Sequence, residues 1–270
     1  MNTFGILWAE VRKSHRHNFN NRFVYYSLFI WPVILFINSY YAFKPFNLHT
    51  GSPLNRFIPA GKLGLFLITG YLGYIFFWCL VQSAWQMAYE RQQGTLELLF
   101  LTPVNRAVLM FGRAAANLIE AVWLFTVFAI LTILYFGSLH VAEWWMIPIA
   151  FLLLILSAII WGGFLNIIFL FSRDSGILYT LFDAPMEFFS GVRLPVLAFP
   201  LWAKLFAFVF PLTYVLSIIR GILMNGQTLA DLRGSFLILF AVLAALFIVS
   251  LILVRKAEQH AKVSGNLTLF

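Results

Sequence analysis

Charge is scarce in this sequence. Asp, Glu, Lys and Arg make up 10% of the 270 residues, with 10 acidic against 18 basic. Soluble domains carry about 25% charged residues, so a solvated globular surface is excluded. No basic run or aromatic–basic interleaving forms a nucleic-acid-binding face. Cysteine is almost absent: Cys79 alone permits neither a disulfide framework nor a CxxC metal or redox site, and reads as a small packing residue. His15, His17, His49 and His260 fall outside the charge-free runs given below, His140 lies near the end of one, and His15 and His17 point apart on a helix. No metal site is expected. The motifs GxSxG, HExxH and GxGxxG are missing. So is the phosphate-binding loop GxxxxGK[ST], because the one Gly-Lys pair, Gly61-Lys62, runs into Leu63. The residues therefore predict no catalytic site and no nucleotide site of this chain's own. Energy would have to come from another polypeptide or an ion gradient.

What is present is hydrocarbon. The chain is 62% hydrophobic with a mean hydropathy of +0.89. Runs free of charge cover residues 23–43, 63–89, 121–142, 144–172 and 234–254. A bilayer crossing takes about 20 apolar residues, and even the first run reaches roughly 30 Å. Tyr25, Tyr26, Trp85, Tyr89, Trp144 and Trp145 lie near run ends, as interfacial aromatics do. The chain reads as an all-α, polytopic membrane protein. Its aromatic content, 19%, suits lipid-facing helices and a path for bulky amphiphiles equally, and decides nothing.

Residues 175–233 are mixed. The segment 176–197 contains Asp183, Glu187 and Arg193. Its Ile, Leu, Val and Phe residues supply roughly 3–6 kcal/mol of insertion free energy, whereas three mid-span charges cost about 2.5–3.5 kcal/mol each. It spans only if those charges face other helices or water, or lie near one end. Residues 205–219 are apolar but too short for a full span and broken by Pro211, which suits a re-entrant piece. The expected result is six spans plus a re-entrant element, with both termini on one side. The rival assignment makes 205–219 the fifth span and leaves Asp183 and Glu187 in the cytoplasm.

Charge asymmetry orients the chain. One side holds Arg12, Lys13, Arg16, Arg22, Arg91, Arg106, Arg113, Arg173, Arg255, Lys256 and Lys262, eleven in all. The other holds seven: Lys44, Arg56, Lys62, Arg193, Lys204, Arg220 and Arg233. The positive-inside rule places both termini in the cytoplasm. Residues 1–22 lack the apolar core and cleavage site of a signal peptide. Phe4, Leu7, Trp8 and Val11 recur there at helical spacing beside Arg12, Lys13 and Arg16, as in a helix lying on an anionic leaflet. Glu120, at the start of the third span, is expected at the interface near this arm.

Residues 90–103, ERQQGTLELLFLTP, form a polar island between apolar runs. Thr95 is a candidate N-cap, Glu97 offsets the positive helix end, and Pro103 stops the helix. A helix of under two turns with Leu96, Leu98, Leu99, Phe100 and Leu101 must bury them against lipid, its own chain or a partner. The island, followed by Asn105-Arg106 and Gly112-Arg113, resembles the coupling-helix loop of type-2 ATP-binding-cassette exporter permeases. Those have Glu-Arg, two variable residues, Gly-Thr, an apolar helix and Thr-Pro. A second match is Ser190-Gly191, Pro195, Pro200, then Phe210-Pro211-Leu212-Thr213-Tyr214 and Arg220-Gly221. It resembles the family's outer end of the fifth span and the re-entrant helices before the sixth.

The resemblance implies an amphipathic interface helix at 1–22 and a membrane domain at 23–254. Its spans would lie at about 23–43, 63–89, 114–136, 144–171, 176–197 and 234–254. The coupling helix would be 95–102, the re-entrant helices about 198–226, and the cytoplasmic tail 255–270. The chain would be one half of the membrane part, beside an identical or different second permease. Two copies of a separate ATP-binding-cassette ATPase would carry the ATP and magnesium, and membrane lipids would surround the spans. The coupling residues would be Glu90, Arg91, Gly94, Thr95, Leu98, Leu99, Phe100 and Pro103. The likeness is nearest to the drug, antibiotic and amphiphile branch, with lipid-linked substrates also open. Candidate pathway or re-entrant residues are Asp183, Glu187, Arg193, Pro211, Tyr214 and Arg220. Asp183 and Glu187 share a helix face and either meet a cationic substrate or proton, or pair with Arg193 or Arg220 to steady the fifth span. Two rival readings use the same carboxylates: an ion-coupled carrier or channel, and a membrane enzyme acting on lipid-linked substrates.

Overall fold

A computed structural model describes residues 3–19, 22–48, 56–58, 62–93, 105–136, 143–170 and 175–264. Among these residues every regular element is helical. The helices are α1 (Thr3–Phe19), α2 (Arg22–Leu48), α3 (Leu63–Gln92), α4 (Arg106–Ala116), α5 (Leu118–Phe136), α6 (Met146–Leu170), α7 (Ser175–Phe189), α8 (Leu201–Ala207), α9 (Pro211–Asn225) and α10 (Leu229–Ser264). A 3₁₀ turn, Val196–Ala198, precedes α8.

Four stretches are long and apolar enough throughout their described residues to cross a bilayer: Leu63–Met87, Arg106–Ile130, Met146–Phe169 and Leu229–Lys256. Helices apolar on every side are either deeply buried or lipid-facing, and this bundle has both kinds. The apolar window of α3 is 94% buried, while that of α10 is 22% buried. Thus α3 is the axis of the bundle and α10 its exposed edge. Around α3 pack α2, α4, α5, α6, α7 and α9. Tyr71, Phe76, Phe77 and Leu80 of α3 meet Leu154 and Trp161 of α6 and Leu216 of α9 in the main core.

The breaks between helices have local causes. Asn105 caps α4, its side chain accepting from Ala107 N at 3.0 Å and Val108 N at 3.4 Å. Asn117 separates α4 from α5, so the helix leading into the third span begins at Arg106 with a break. Helix α7 stops at Phe189, where Gly191 takes φ 86° and turns the chain. At about 1.5 Å per residue its 15 residues reach only about 22 Å. Helices α8 and α9 meet at 93°. Pro211 opens α9, Thr213 Oγ1 donates to Ala207 O at 2.8 Å, and Tyr214 OH donates to Phe208 O at 3.2 Å. Both bonds serve carbonyls at the end of α8, where Ala207 O also accepts from Phe210 N at 3.3 Å. At the head of α10, Asp231 accepts from Thr228 N at 2.9 Å and Thr228 Oγ1 at 2.8 Å, as in a capping box.

Candidate functional site

Two polar assemblies stand out in this apolar bundle. The first lies where α3 ends, at the base of the island. Glu90 accepts from Arg113 Nη2 of α4 at 2.6 Å and pairs with Lys13 of α1. Glu10 of α1 approaches Arg113 Nε at 3.8 Å and Lys13 at 4.0 Å. The Arg113 side chain is only 5% exposed and that of Glu90 19%, so these charges are held largely out of water. Burial pushes the Glu90 carboxyl up, but Arg113 and Lys13 together outweigh it and hold its pKa below the ordinary value.

Neutral bonds extend the joint. Ser14 Oγ of α1 donates to Asn117 Oδ1 at 2.7 Å, and Asn117 Nδ2 donates to the Cys79 carbonyl of α3 at 3.0 Å. Asn166 Nδ2 of α6 donates to Met110 O at 2.9 Å, and Ser83 Oγ of α3 donates to Asn166 Oδ1 at 3.1 Å. Gly112 lets α1 lie on α4, since a Cβ there would meet Leu7 at 2.9 Å. Four helices are thus bolted together at one end of the bundle.

Among the expected coupling residues, Glu90 is therefore paired with the N-terminal arm and with Arg113. The backbone of Arg91 continues α3, and its side chain lies outside the described residues. Gly94, Thr95, Leu98, Leu99, Phe100 and Pro103 also lie outside the described residues. The sequence counts Arg113 only as a charge beside the island and does not pair it with Glu90, and it gives no role to Glu10 or Asn117. The signal is a charge on an apolar stripe: Arg113 shares the buried face of α4 with Leu109, Met110 and Ala116, and such a charge needs a partner. Glu120 is buried in the first turn of α5.

The second assembly joins α2, α3, α7 and α9. Tyr74 OH donates to Asp183 Oδ2 at 3.1 Å, and Tyr71 OH lies 3.5 Å from Glu187 Oε1. Ser39 Oγ and Tyr71 OH are 2.5 Å apart. Arg193 donates to Glu187 from Nε at 3.0 Å and from Nη2 at 2.5 Å, and lies 5.3 Å from the Phe188 ring centre. Arg220 is elsewhere engaged. It donates to Gly191 O at 2.7 Å, Phe66 O at 3.0 Å, Val192 O at 3.3 Å and Thr69 Oγ1 at 3.4 Å. Its guanidinium stacks 3.6 Å from the Phe66 ring centre. Of the two arginines offered as partners, Arg193 takes Glu187 and Arg220 serves as a latch of α9 onto α3 and the turn after α7. Pro211 and Tyr214 build the α8–α9 corner. Among the described residues no group of three or more His, Cys, Asp or Glu side chains is placed to hold a metal.

The family model described as ABC-2 type transporter matches residues 6–224, which include both assemblies and the island. No curated protein matches the chain.

Proposed function

The chain belongs to the ABC-2 type transporter family, and from that premise we propose that it is the permease subunit of an ATP-driven exporter. It pairs with a second permease, and the two are seated on two copies of a separate ATPase. Both termini face the cytoplasm of a cell membrane. Residues 95–102 dock in the ATPase, with Leu98, Leu99 and Phe100 as apolar anchors. The cargo is drug-like, amphiphilic or lipid-linked.

The observation that carries this reading is the joint at Glu90. The island leaves the end of α3 and returns at Asn105 before α4, and those two helices are tied to each other and to α1 through Glu90, Arg113 and Lys13. A push on the island would enter three helices at once rather than bend one loop. Closure of a partner on ATP can thereby bias a two-state bundle. The Glu187–Arg193 pair supports a steadying role for that carboxylate rather than an ion-coupled carrier.

The test is purification in mild detergent with Leu99→Asp plus Phe100→Asp. An ATPase should copurify with the native chain and be lost from the variant, which remains inserted. Copurification and full-rate transport by the variant would sink the docking assignment.

A further inference from the structure

Between α5, α6 and α9 lies a cavity of about 460 Å³. Phe125 and Ile130 of α5, Phe151 and Leu154 of α6, and Ile219 and Leu223 of α9 wall it. Thr126 is the one polar side chain in the lining, and its hydroxyl already donates to Val122 O at 2.7 Å. The walls therefore present no free hydrogen-bonding side chain to a polar ligand. Water entering it would find no side-chain partner on the walls. An apolar cavity of about 150 Å³ admits one benzene ring; this one is about three times larger, room for a length of hydrocarbon chain.

Its position states what that hydrocarbon is. Thr126, Ile130 and Pro148 on its rim are solvent-exposed in the isolated chain, and two of its walls, α5 and α6, belong to stretches long and apolar enough to cross a bilayer. Trp144 and Trp145, 66% and 52% exposed, directly precede the wall residues Ile147 and Pro148. Exposed indoles at a span end mark the headgroup level. From there the groove runs along α6 to Leu154, about 10 Å into the hydrocarbon at 1.5 Å per residue. Empty, its walls would lose dispersion contacts on one side. We propose that it is a built site for one acyl chain of a bilayer phospholipid. The lipid is held as a fixed component in the leaflet remote from α1, with its headgroup beside Trp144 and Trp145. Ala129 and Ala150 give the groove its width, and the bound chain wedges α9 against α5 and α6.

The inference does not depend on what the protein transports. The test uses the full chain in vesicles containing phosphatidylcholine with a diazirine in one acyl chain, and maps cross-links by peptide mass spectrometry. Labelling at Phe125–Ile130 and Ile219–Leu223 should exceed severalfold that at Leu237 and Ile248, exposed positions of α10 that meet ordinary annular lipid. About one phospholipid per chain should survive detergent washing. Ala129→Leu with Ala150→Leu should reduce that lipid to background and leave α10 labelling unchanged. Groove labelling no stronger than α10 labelling overturns the proposal, and so does a groove cross-linked instead to a second copy of the chain. Should the double variant fail to insert, the cross-link map of the native chain decides alone.

Discussion

Glu90 and Arg113 are a pair in which each residue makes the other tolerable. Removing one partner of a buried pair strands the other charge, at about 3–5 kcal/mol. Glu90 keeps some access to water and Arg113 keeps Glu10 within 3.8 Å, so Glu90→Gln is expected near the low end. Thermal unfolding in detergent measures it, and Glu90→Gln with Arg113→Gln should lose clearly less than the sum of the two singles. Equal additivity would mean the pair is ornamental. The pH dependence has a definite sign. The folded pKa of Glu90 lies below its ordinary value of 4.5, so the pair's contribution is complete above about 4.5 and disappears as pH falls through the lower, folded value. Native and Glu90→Gln chains should therefore differ by a constant amount between pH 7 and 5 and converge only at more acidic pH.

At the scale of elements, the closeness of α3 to the turn after α7 depends on one missing side chain. A Cβ at Gly70 would collide with the Val192 carbonyl and lie 2.7 Å from Arg220 Nη2. The first contact is backbone, which cannot swing away, and the second is a side chain fixed by bonds to four residues. Gly70→Ala should cost about 1–3 kcal/mol by overpacking and loosen α9, read as faster proteolysis or deuterium uptake at 211–225. Gly234→Ala is the control: nothing lies within 4 Å of its Cβ, and alanine in an open helical site stabilises by up to about 1 kcal/mol. The two substitutions should move the melting temperature in opposite directions. Helices such as α3, α6 and α10 are legible in the sequence because a charge-free run of their length has few other folds open to it in a membrane. Helix α4 is not, because its inward face carries Gly112 and Arg113, which read as loop until their partners on α1 and α3 are known. The length of α7 is illegible for a similar reason. Nothing in 176–197 stops a helix at Phe189 except Gly191, whose positive φ is a tertiary fact. The corner before α9 was readable from Pro211, but Thr213 and Tyr214 reveal their purpose only once the bend brings them to the carbonyls of α8.

For the whole molecule, the placement of polar bonds divides the bundle by stiffness. Helices α1, α3, α4 and α6 are joined by three polar groups: Glu10 and Lys13 with Glu90 and Arg113, Ser14 with Asn117 and the Cys79 carbonyl, and Ser83 with Asn166 and the Met110 carbonyl. Helix α10 packs on α6 and α9 through its few buried apolar side chains, such as Leu239 and Leu243. Directional bonds fix relative positions where apolar contact permits sliding. A displacement delivered at the island would therefore move α1, α3, α4 and α6 together. Cutting the joint without touching residues 95–102 tests the proposed docking by separating binding from transmission. Lys13→Ala with Glu90→Gln should leave the copurifying ATPase bound, because 95–102 is intact, yet lower transport per ATP hydrolysed. A drop of about tenfold corresponds to about 1.4 kcal/mol lost from the coupling between the two states. The readout is the ratio of substrate moved to phosphate released in sealed vesicles, which a simple loss of protein would not change. An unaltered ratio in a variant that binds its ATPase would mean that force reaches the spans without passing through Glu90.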